Sequence, residues 1–415
     1  MLRLLHTADW HLGHSLHGHS RAHEHADFLS WLSDLIAGEH IDALLIAGDV
    51  FDSANPPASA LSMYYEFLAD VQRQTPGLDV VIVGGNHDSA ARLNAPEALL
   101  SAIGVTVVGG LVNRNREKSR GVNVAEMVVP LRESSGAVGA LVAAVPFMRP
   151  ADLPVVSTAT GDPLVEGVRE AYSQVLAEAR RVLQPEQALI AMGHCHMVGS
   201  TISQMSERRV VIGNQHALPD DIFPDDVDYV ALGHLHKAQR IGGREHVRYS
   251  GSPIPLSMGE AGYHHQVAIA DFEKGTLDDL RIVPVPRTTD LLCIGPGALP
   301  TVLASLDALE ARREGEDLQC PYLEVGVRLD SPVSDLRDQI EAALKGKRAR
   351  LVKISISYTG DRKTLSEARP GQRLADVSPH DVLLRRYSRD YQDTPPQELL
   401  EAFDGLLDSV GQKGR

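Results

Sequence analysis

The chain has 415 residues, 43% hydrophobic and 23% charged. That length exceeds one ordinary core and predicts two or three domains, and the composition excludes a disordered or fibrous chain. A net charge of −15, from 40 Lys+Arg against 55 Asp+Glu, argues against a protein that grips duplex DNA by its own surface charge, because such affinity comes from neutralising phosphates; an enzyme whose cations are bound metals, or one with a basic partner, escapes that objection.

Cysteines at 195, 293 and 320 are scattered, odd in number and without CxxC spacing, so a reducing compartment, the cytoplasm, is expected. The longest apolar candidate, 136–148, is broken by Gly139 and Pro146, and no membrane span is expected. Residues 1–5 are too short an apolar block for a signal peptide and run directly into a motif.

In chain order, five short apolar runs each end in side chains suited to metal ligation. Residues 1–5 pass through His6 to Asp9, Trp10 and His11, and 41–47 end in Gly48 and Asp49. Residues 79–83, DVVIV, lead through two glycines to Asn86, His87 and Asp88. Run 188–192 is followed by Gly193 and His194, and 228–232 by Gly233, His234, Leu235 and His236. Such runs read as buried strands, and the C-terminal rim of an open α/β sheet is where ligands bind. Helical periodicity over 23–36, 58–72, 94–103 and 166–183 fills most of the gaps, and the alternation predicts a largely parallel, layered α/β sheet. Asp9 and His11 are two apart and share a face if the segment is extended, as do His234 and His236. Seven O and N donors, with no cysteine needed, suit a pair of hard or borderline divalent ions such as manganese, iron or zinc, with Asp49 as the shared carboxylate.

Asp9-x-His11, Gly48-Asp49-Val50-Phe51-Asp52, Gly85-Asn86-His87-Asp88, Gly193-His194 and Gly233-His234-Leu235-His236 together resemble the five motifs of the calcineurin-like metallophosphoesterases. DWHLG, SRAHEHADFLSWL, AGDVFDSANPP, GGNHDS, YVALGHLHKAQ and EHVRYSGSPIPLS look, more narrowly, like the bacterial SbcD nuclease subunits, over residues 1 to about 271. The resemblance implies two divalent metal ions, manganese first, one held by Asp9, His11, Asp49 and His236 and the other by Asp49, Asn86, His194 and His234. It implies that His87 faces the scissile phosphate as the catalytic group. Asp88 reads equally as a support for His87 and as a turn cap. Two features depart from the pattern: Asp52 stands where some relatives carry a histidine, and His196 mimics the GHLH spacing, with His194 favoured as the ligand.

The histidines at 14, 17, 19, 23 and 25 read as a polar loop and the solvated face of a starting helix. Residues 113–120, NRNREKSR, read first as a solvated turn and second as a phosphate contact. Helices 58–72 and 94–103 carry Leu61, Tyr65 and Leu68, and Leu99, Leu100 and Ile103, mostly as core; the resemblance implies that these helices pair across a homodimer.

Pro284-Val285-Pro286 reads as a hinge. Beyond it, strands at 291–294, 322–330 and 350–358, with helices at 298–313 and 331–343, the latter capped by Ser331 with Pro332 first, predict a small α+β unit. The unit resembles a capping domain on the DNA-facing side. The basic run 345–353 reads either as local compensation for the acidic total or as a solvated strand edge. Residues 359–376 read as a linker. Two short helices follow, one capped by Ser378 and one starting at Pro395-Pro396 with Leu399, Leu400, Phe403, Leu406 and Leu407 on one face, which dock either on the chain's own body or on a partner.

The expected fold class is thus α/β, a layered metallophosphoesterase sandwich of sheets flanked by helices, divided into a nuclease domain (1–285), a capping domain (286–360), a linker (361–377) and C-terminal helices (378–415). The function implied by resemblance is a DNA nuclease subunit: a 3′-to-5′ double-strand exonuclease and single-strand or hairpin endonuclease in DNA repair, replication and recombination. Its implied partners are DNA and an SbcC-like, SMC-type ATPase, in a homodimer that forms a heterotetramer with it. A small-molecule phosphodiesterase on the same fold and a mainly DNA-end tethering subunit are the alternatives.

Overall fold

The computed structural model describes residues 1–111, 124–154, 156, 162–201, 217–312, 319–331 and 333–358, with isolated positions between 383 and 403. Two compact units result, Met1–Tyr358 and Thr359–Arg415. The basic loop 113–120, the linker 359–376 and most of both C-terminal helices lie outside the described residues.

Two six-stranded sheets carry the first unit. One runs edge to edge through Thr276–Pro284, Gln266–Glu273, Leu2–Thr7, Ala43–Ala47, Asp79–Val83 and Val105–Val108. The last four are parallel, with Leu5 beside Leu44 and Leu44 beside Val80. The other sheet runs through Gln239–Ile241, Arg244–Tyr249, Tyr229–Gly233, Ala188–His194, Val138–Ala144 and Val128–Arg132, parallel in its four central strands and antiparallel at both edges. Period-two alternation explains the stacking. Leu4, Leu45, Val81 and Val83 share one core with Val142, Ile190 and Val230 of the second sheet. Leu5, Leu44, Ile46, Val80 and Ile82 point the other way, onto helices Ala22–Gly38 and Ala58–Gln74. Helix Pro163–Val182, capped by the Asp162 carboxylate accepting Leu164 N–H at 2.9 Å, packs on the second sheet through Ala171, Val175 and Ala179. Among the described residues, no helix is long and apolar enough to cross a membrane.

The sheets are mixed, where the sequence suggested a largely parallel one. Asp271 lies within Gln266–Glu273 and takes a two-pronged ion pair from Arg3 at 2.7 and 2.8 Å. The hairpin to Thr276–Pro284 turns at Lys274 and Gly275, both with positive φ (51° and 80°), as a tight antiparallel turn requires. The expected helix over 94–103 is two short helices, Ala90–Asn94 and Glu97–Ser101. Pro96, without an N–H, stands between them. Leu100 is buried there, but Leu99 and Ile103 are exposed, and so is Tyr65 on the preceding helix; these three are not core.

A third sheet of parallel strands Leu291–Ala298, Tyr322–Leu329 and Arg350–Tyr358 carries helices Leu299–Asp307 and Leu336–Ala343 over its own core of Val302, Leu306, Val325, Leu336 and Ile340. The second helix starts at Leu336 with Asp335 at its N-cap, four residues later than expected from a cap at Ser331, which puts Leu336 and Ile340 one turn apart on the buried face. Much of the basic run is engaged internally: Lys353 pairs with Glu324 at 2.8 Å, Lys347 donates to the Leu309 carbonyl at 3.2 Å, and Arg350 lies 4.3 Å from the Tyr322 ring centre.

That ring also contacts a buried ion pair. Arg21, wholly buried, grips Glu24 through two bonds of 2.5 Å and donates to the Pro255 carbonyl at 2.6 Å, while the Tyr322 hydroxyl donates to Glu24 at 3.2 Å. Removing one partner strands a buried charge. Arg21→Met is therefore expected to lower unfolding free energy by about 3–5 kcal/mol, read from urea denaturation; a change below about 1 kcal/mol would show that water reaches Glu24.

Candidate metal centre

The five strand ends named by the sequence meet at one rim. Asp49 is the common point. Its Oδ2 lies 3.5 Å from His11 Nε2 and 3.4 Å from His194 Nε2, and its Oδ1 accepts the His87 backbone N–H at 2.8 Å. Ligand atoms of His11, Asp49 and His87 fall within 4.8 Å of one another, as do those of Asp9, Asp49 and His194. Asn86 Oδ1 lies 2.9 Å from both His194 Nε2 and His234 Nδ1. The His236 ring centre lies 5.1 Å from that of His11, and that of His234 lies 5.2 Å from that of His194.

The backbone at this rim is unusual. Asp9, His11, Asp49 and His234 have φ of 55°, 49°, 48° and 103°, a region that non-glycine residues seldom adopt and that costs of order 1–3 kcal/mol per residue. Asp9 with His11, and His234 with His236, therefore do not share a face by strand alternation, as their spacing suggested; the strands end at Thr7 and Gly233, and left-handed turns aim the side chains. Asp9 N–H donates to Gly48 O and His11 N–H to Asp49 O, both at 3.0 Å, tying the first turn to the second. His234 N–H in turn donates to the Asp9 carboxylate at 2.9 Å.

Burial pushes the Asp9 carboxyl up. At Asp49 burial acts the same way, but His194, His11 and His87 outweigh it and hold that carboxyl below the usual range. Burial lowers His11 to about 4 and His234 to about 3, which favours neutral imidazoles. His194 goes up to about 9 because Asp49 and Asp9 overcome its burial. Both ring nitrogens of His11 are buried without a hydrogen bond, with Asp52 Oδ1 3.3 Å from Nδ1 and Asp49 Oδ2 3.5 Å from Nε2. Buried carboxylates and imidazole lone pairs gathered this closely call for a cation. The donor set, O and N without sulfur, fits hard or borderline divalent ions.

The hydrogen bonds behind two of the rings fix which nitrogen carries a lone pair. His194 Nδ1 faces the Ala47 carbonyl at 2.9 Å and His87 Nδ1 the Asp52 carbonyl at 2.8 Å, so in the neutral ring each lone pair lies on Nε2. His196 does not join the cluster: its ring centre stays 6.4 Å from that of His234, and it lines an apolar cavity with Phe147, Met148 and Leu153.

Several supports escape a motif reading. Asp88 is a buried brace whose carboxylate accepts N–H groups of Val50, Phe51 and Gly85 at 3.1, 3.0 and 2.9 Å, joining the GD and GNHD turns. Its two open readings were support for the His87 side chain and a turn cap, and the geometry matches the cap. His14 and His25, expected on a polar loop and a solvated face, bond internally. His14 bridges Asp52 Oδ1 and the Leu256 carbonyl, each at 2.9 Å, and His25 Nε2 meets the Trp10 carbonyl at 2.9 Å. Glu260, wholly buried, places Oε1 3.0 Å from His236 Nδ1. Nothing in the spacing marked Glu260, which follows His236 by 24 residues.

Comparison with known proteins identifies relatives of the chain. A family model described as calcineurin-like phosphoesterase matches residues 2–238, and one described as type 5 capsule protein repressor C-terminal domain matches 287–391. The chain is 40% identical over 389 residues to the SbcD subunit of the SbcCD nuclease of Rhodobacter capsulatus, covering 91% of this chain and 92% of that protein. It is 32% identical to the same subunit of Escherichia coli K12, covering 96% of each, and 35% identical to that of Bacillus subtilis over 66% of this chain and 67% of that one. With a phosphoesterase model over more than half its length and relatives matched almost end to end, the chain belongs to the calcineurin-like phosphoesterases and, within them, to the SbcD family of nuclease subunits.

Proposed function

We propose that the chain is the nuclease subunit of a two-component DNA-processing enzyme and hydrolyses phosphodiester bonds with two divalent ions, manganese favoured. Asp9, His11, Asp49 and His236 would hold one ion and Asp49, Asn86, His194 and His234 the other. The observation that carries this reading is the position of Asp49 Oδ2, within 3.5 Å of an imidazole nitrogen from each set. Bound there, two ions supply an activated water at neutral pH and neutralise charge on the phosphoryl oxygens. His87, its Nδ1 held by the Asp52 carbonyl, presents Nε2 to the phosphate, where it steadies the transition state or protonates the leaving oxygen.

The relatives are named as one component of an SbcCD nuclease, which supports an SbcC-like ATPase as partner and DNA as substrate. Such a partner also answers the net charge of −15, since it can supply the cations for DNA. On this reading the protein works in the cytoplasm as a 3′-to-5′ exonuclease and single-strand or hairpin endonuclease. Exposed Tyr65, Leu99 and Ile103 serve a homodimer, residues 286–360 form a cap, and the segment from 378 docks on the ATPase. The test is cleavage of end-labelled duplex and hairpin DNA by purified protein with manganese, with and without the ATPase. Metal-dependent cleavage is expected. Turnover of small phosphodiesters with DNA left intact would overturn the assignment.

Glycine packing gives a second check. A methyl on Gly85 would overlap the Asp49 carboxylate and backbone N–H. Gly85→Ala is expected to cut metal affinity by about 10–100-fold, the range for disturbing a ligand's support, measured by calorimetric manganese titration; unchanged affinity would mean that Asp49 can move without loss.

A further inference from the structure

The imidazoles of the cluster are backed differently. His194 and His87 turn Nδ1 to neutral backbone carbonyls, those of Ala47 and Asp52. His236 turns Nδ1 to a carboxylate, Glu260 Oε1 at 3.0 Å. Glu260 is wholly buried, and its second oxygen accepts the Leu256 N–H at 2.7 Å, so the carboxylate cannot rotate without breaking that bond. The segment carrying it is pinned from outside as well. Arg21 donates to the Pro255 carbonyl at 2.6 Å, and the Leu256 carbonyl meets His14 Nε2 at 2.9 Å. A carboxylate held this rigidly can fix both the orientation and the tautomer of the ring it faces. A proton on Nδ1, shared with Glu260, leaves the lone pair on Nε2 and makes that nitrogen a stronger donor than a carbonyl-backed ring.

We propose that Glu260 is a positioning residue for one half of the dimetal centre: through His236 it sets the affinity of the ion position formed by Asp9, His11, Asp49 and His236, and leaves the position formed with Asn86, His194 and His234 unaffected. This rests on the two-ion reading given above.

The test uses the full chain, stripped of metal and titrated with manganese by calorimetry, in wild type, Glu260→Gln, Glu260→Ala, His236→Ala and the Glu260→Gln/His236→Ala double variant. Urea denaturation of each metal-free protein accompanies it. Two binding steps are expected in wild type. In Glu260→Gln one step weakens by about 10–100-fold and the other is unchanged, with the metal-free denaturation midpoint retained. Adding Glu260→Gln to His236→Ala causes no further loss, because the carboxylate acts only through that ring. Equal weakening of both steps, no weakening, additive loss in the double variant, or a metal-free Glu260→Gln protein that has lost its fold would each overturn the proposal, the last by making Glu260 a buttress of the 255–260 segment. Glu260→Ala, which also removes the Leu256 bond, should weaken the same step at least as much; sparing it would count against the proposal. A wild type that binds fewer than two ions would overturn the two-ion centre itself, and this role with it, whereas a normal wild type beside an unselective variant removes only the role of Glu260.

Discussion

Asp49→Ala is expected to lose both ions and, with them, DNA cleavage by more than about 10³-fold, beyond the loss from deleting a single transition-state hydrogen-bond donor. Asp49 is the point where the two candidate ion positions meet, its Oδ2 lying 3.5 Å from His11 Nε2 and 3.4 Å from His194 Nε2. No neighbour can replace it. Asp9 already receives the His234 N–H, and Asp88 is committed to three backbone donors. The same carboxylate orders the turn that carries His87, because Oδ1 accepts the His87 N–H at 2.8 Å. Asp49→Asn separates these effects: an amide oxygen can still take that N–H, but without the negative charge it bridges two cations poorly. Elemental analysis after dialysis against manganese should find fewer than one ion per chain in Asp49→Ala. Finding two would show that Asp49 is not the bridge.

How much of this was written in the sequence depends on how local each contact is. The strand 79–83 and the glycines after it are legible because β-branched periodicity and turn chemistry act over a few residues, and the structure has a strand with those same limits, Asp79–Val83. The ligand candidates were legible because each follows a strand end. What brings Asp9 and His11 together was not, since left-handed backbone at both positions replaced the extended geometry that their spacing suggested. Leu99 and Ile103 looked like core because periodicity reports amphipathicity and cannot say whether the apolar side faces this chain. The break at Pro96 lies in a stretch whose apolar periodicity alone reads as one helix. Glu260 is the opposite case. A carboxylate 24 residues beyond the ring it faces has no periodic signature, and only the packing of the 255–260 segment against Arg21, His14 and His236 brings them together. The antiparallel sheet edges were hidden for a related reason: in a partly exposed edge strand such as Thr276–Pro284 the apolar residues Leu277, Leu280, Ile282 and Val283 follow no strict alternation.

His87→Ala is expected to lower kcat for DNA cleavage by about 10²–10⁴-fold, the range for losing a positioned acid or base, while two ions stay bound. The distinction follows from what each part of His87 does. Its backbone N–H holds Asp49 Oδ1 and survives in alanine, so the shared carboxylate keeps its orientation. Its side chain lies against the His11 ring, with centres 4.8 Å apart, and is fixed by the bond from Nδ1 to the Asp52 carbonyl rather than by a carboxylate. A ring whose Nδ1 is held by a carbonyl presents Nε2 in a fixed orientation, which suits contact with a leaving oxygen. Asp52→Ala sharpens the comparison, because it keeps that carbonyl and removes only the carboxylate, which pairs with His14 at 2.9 Å and lies 3.3 Å from His11 Nδ1. It should therefore cost less in kcat than His87→Ala. The measurements are single-turnover cleavage of a labelled duplex and metal content by elemental analysis on the same samples. If His87→Ala empties the centre, the ring is a ligand, and the division between holding metal and facing the phosphate must be redrawn.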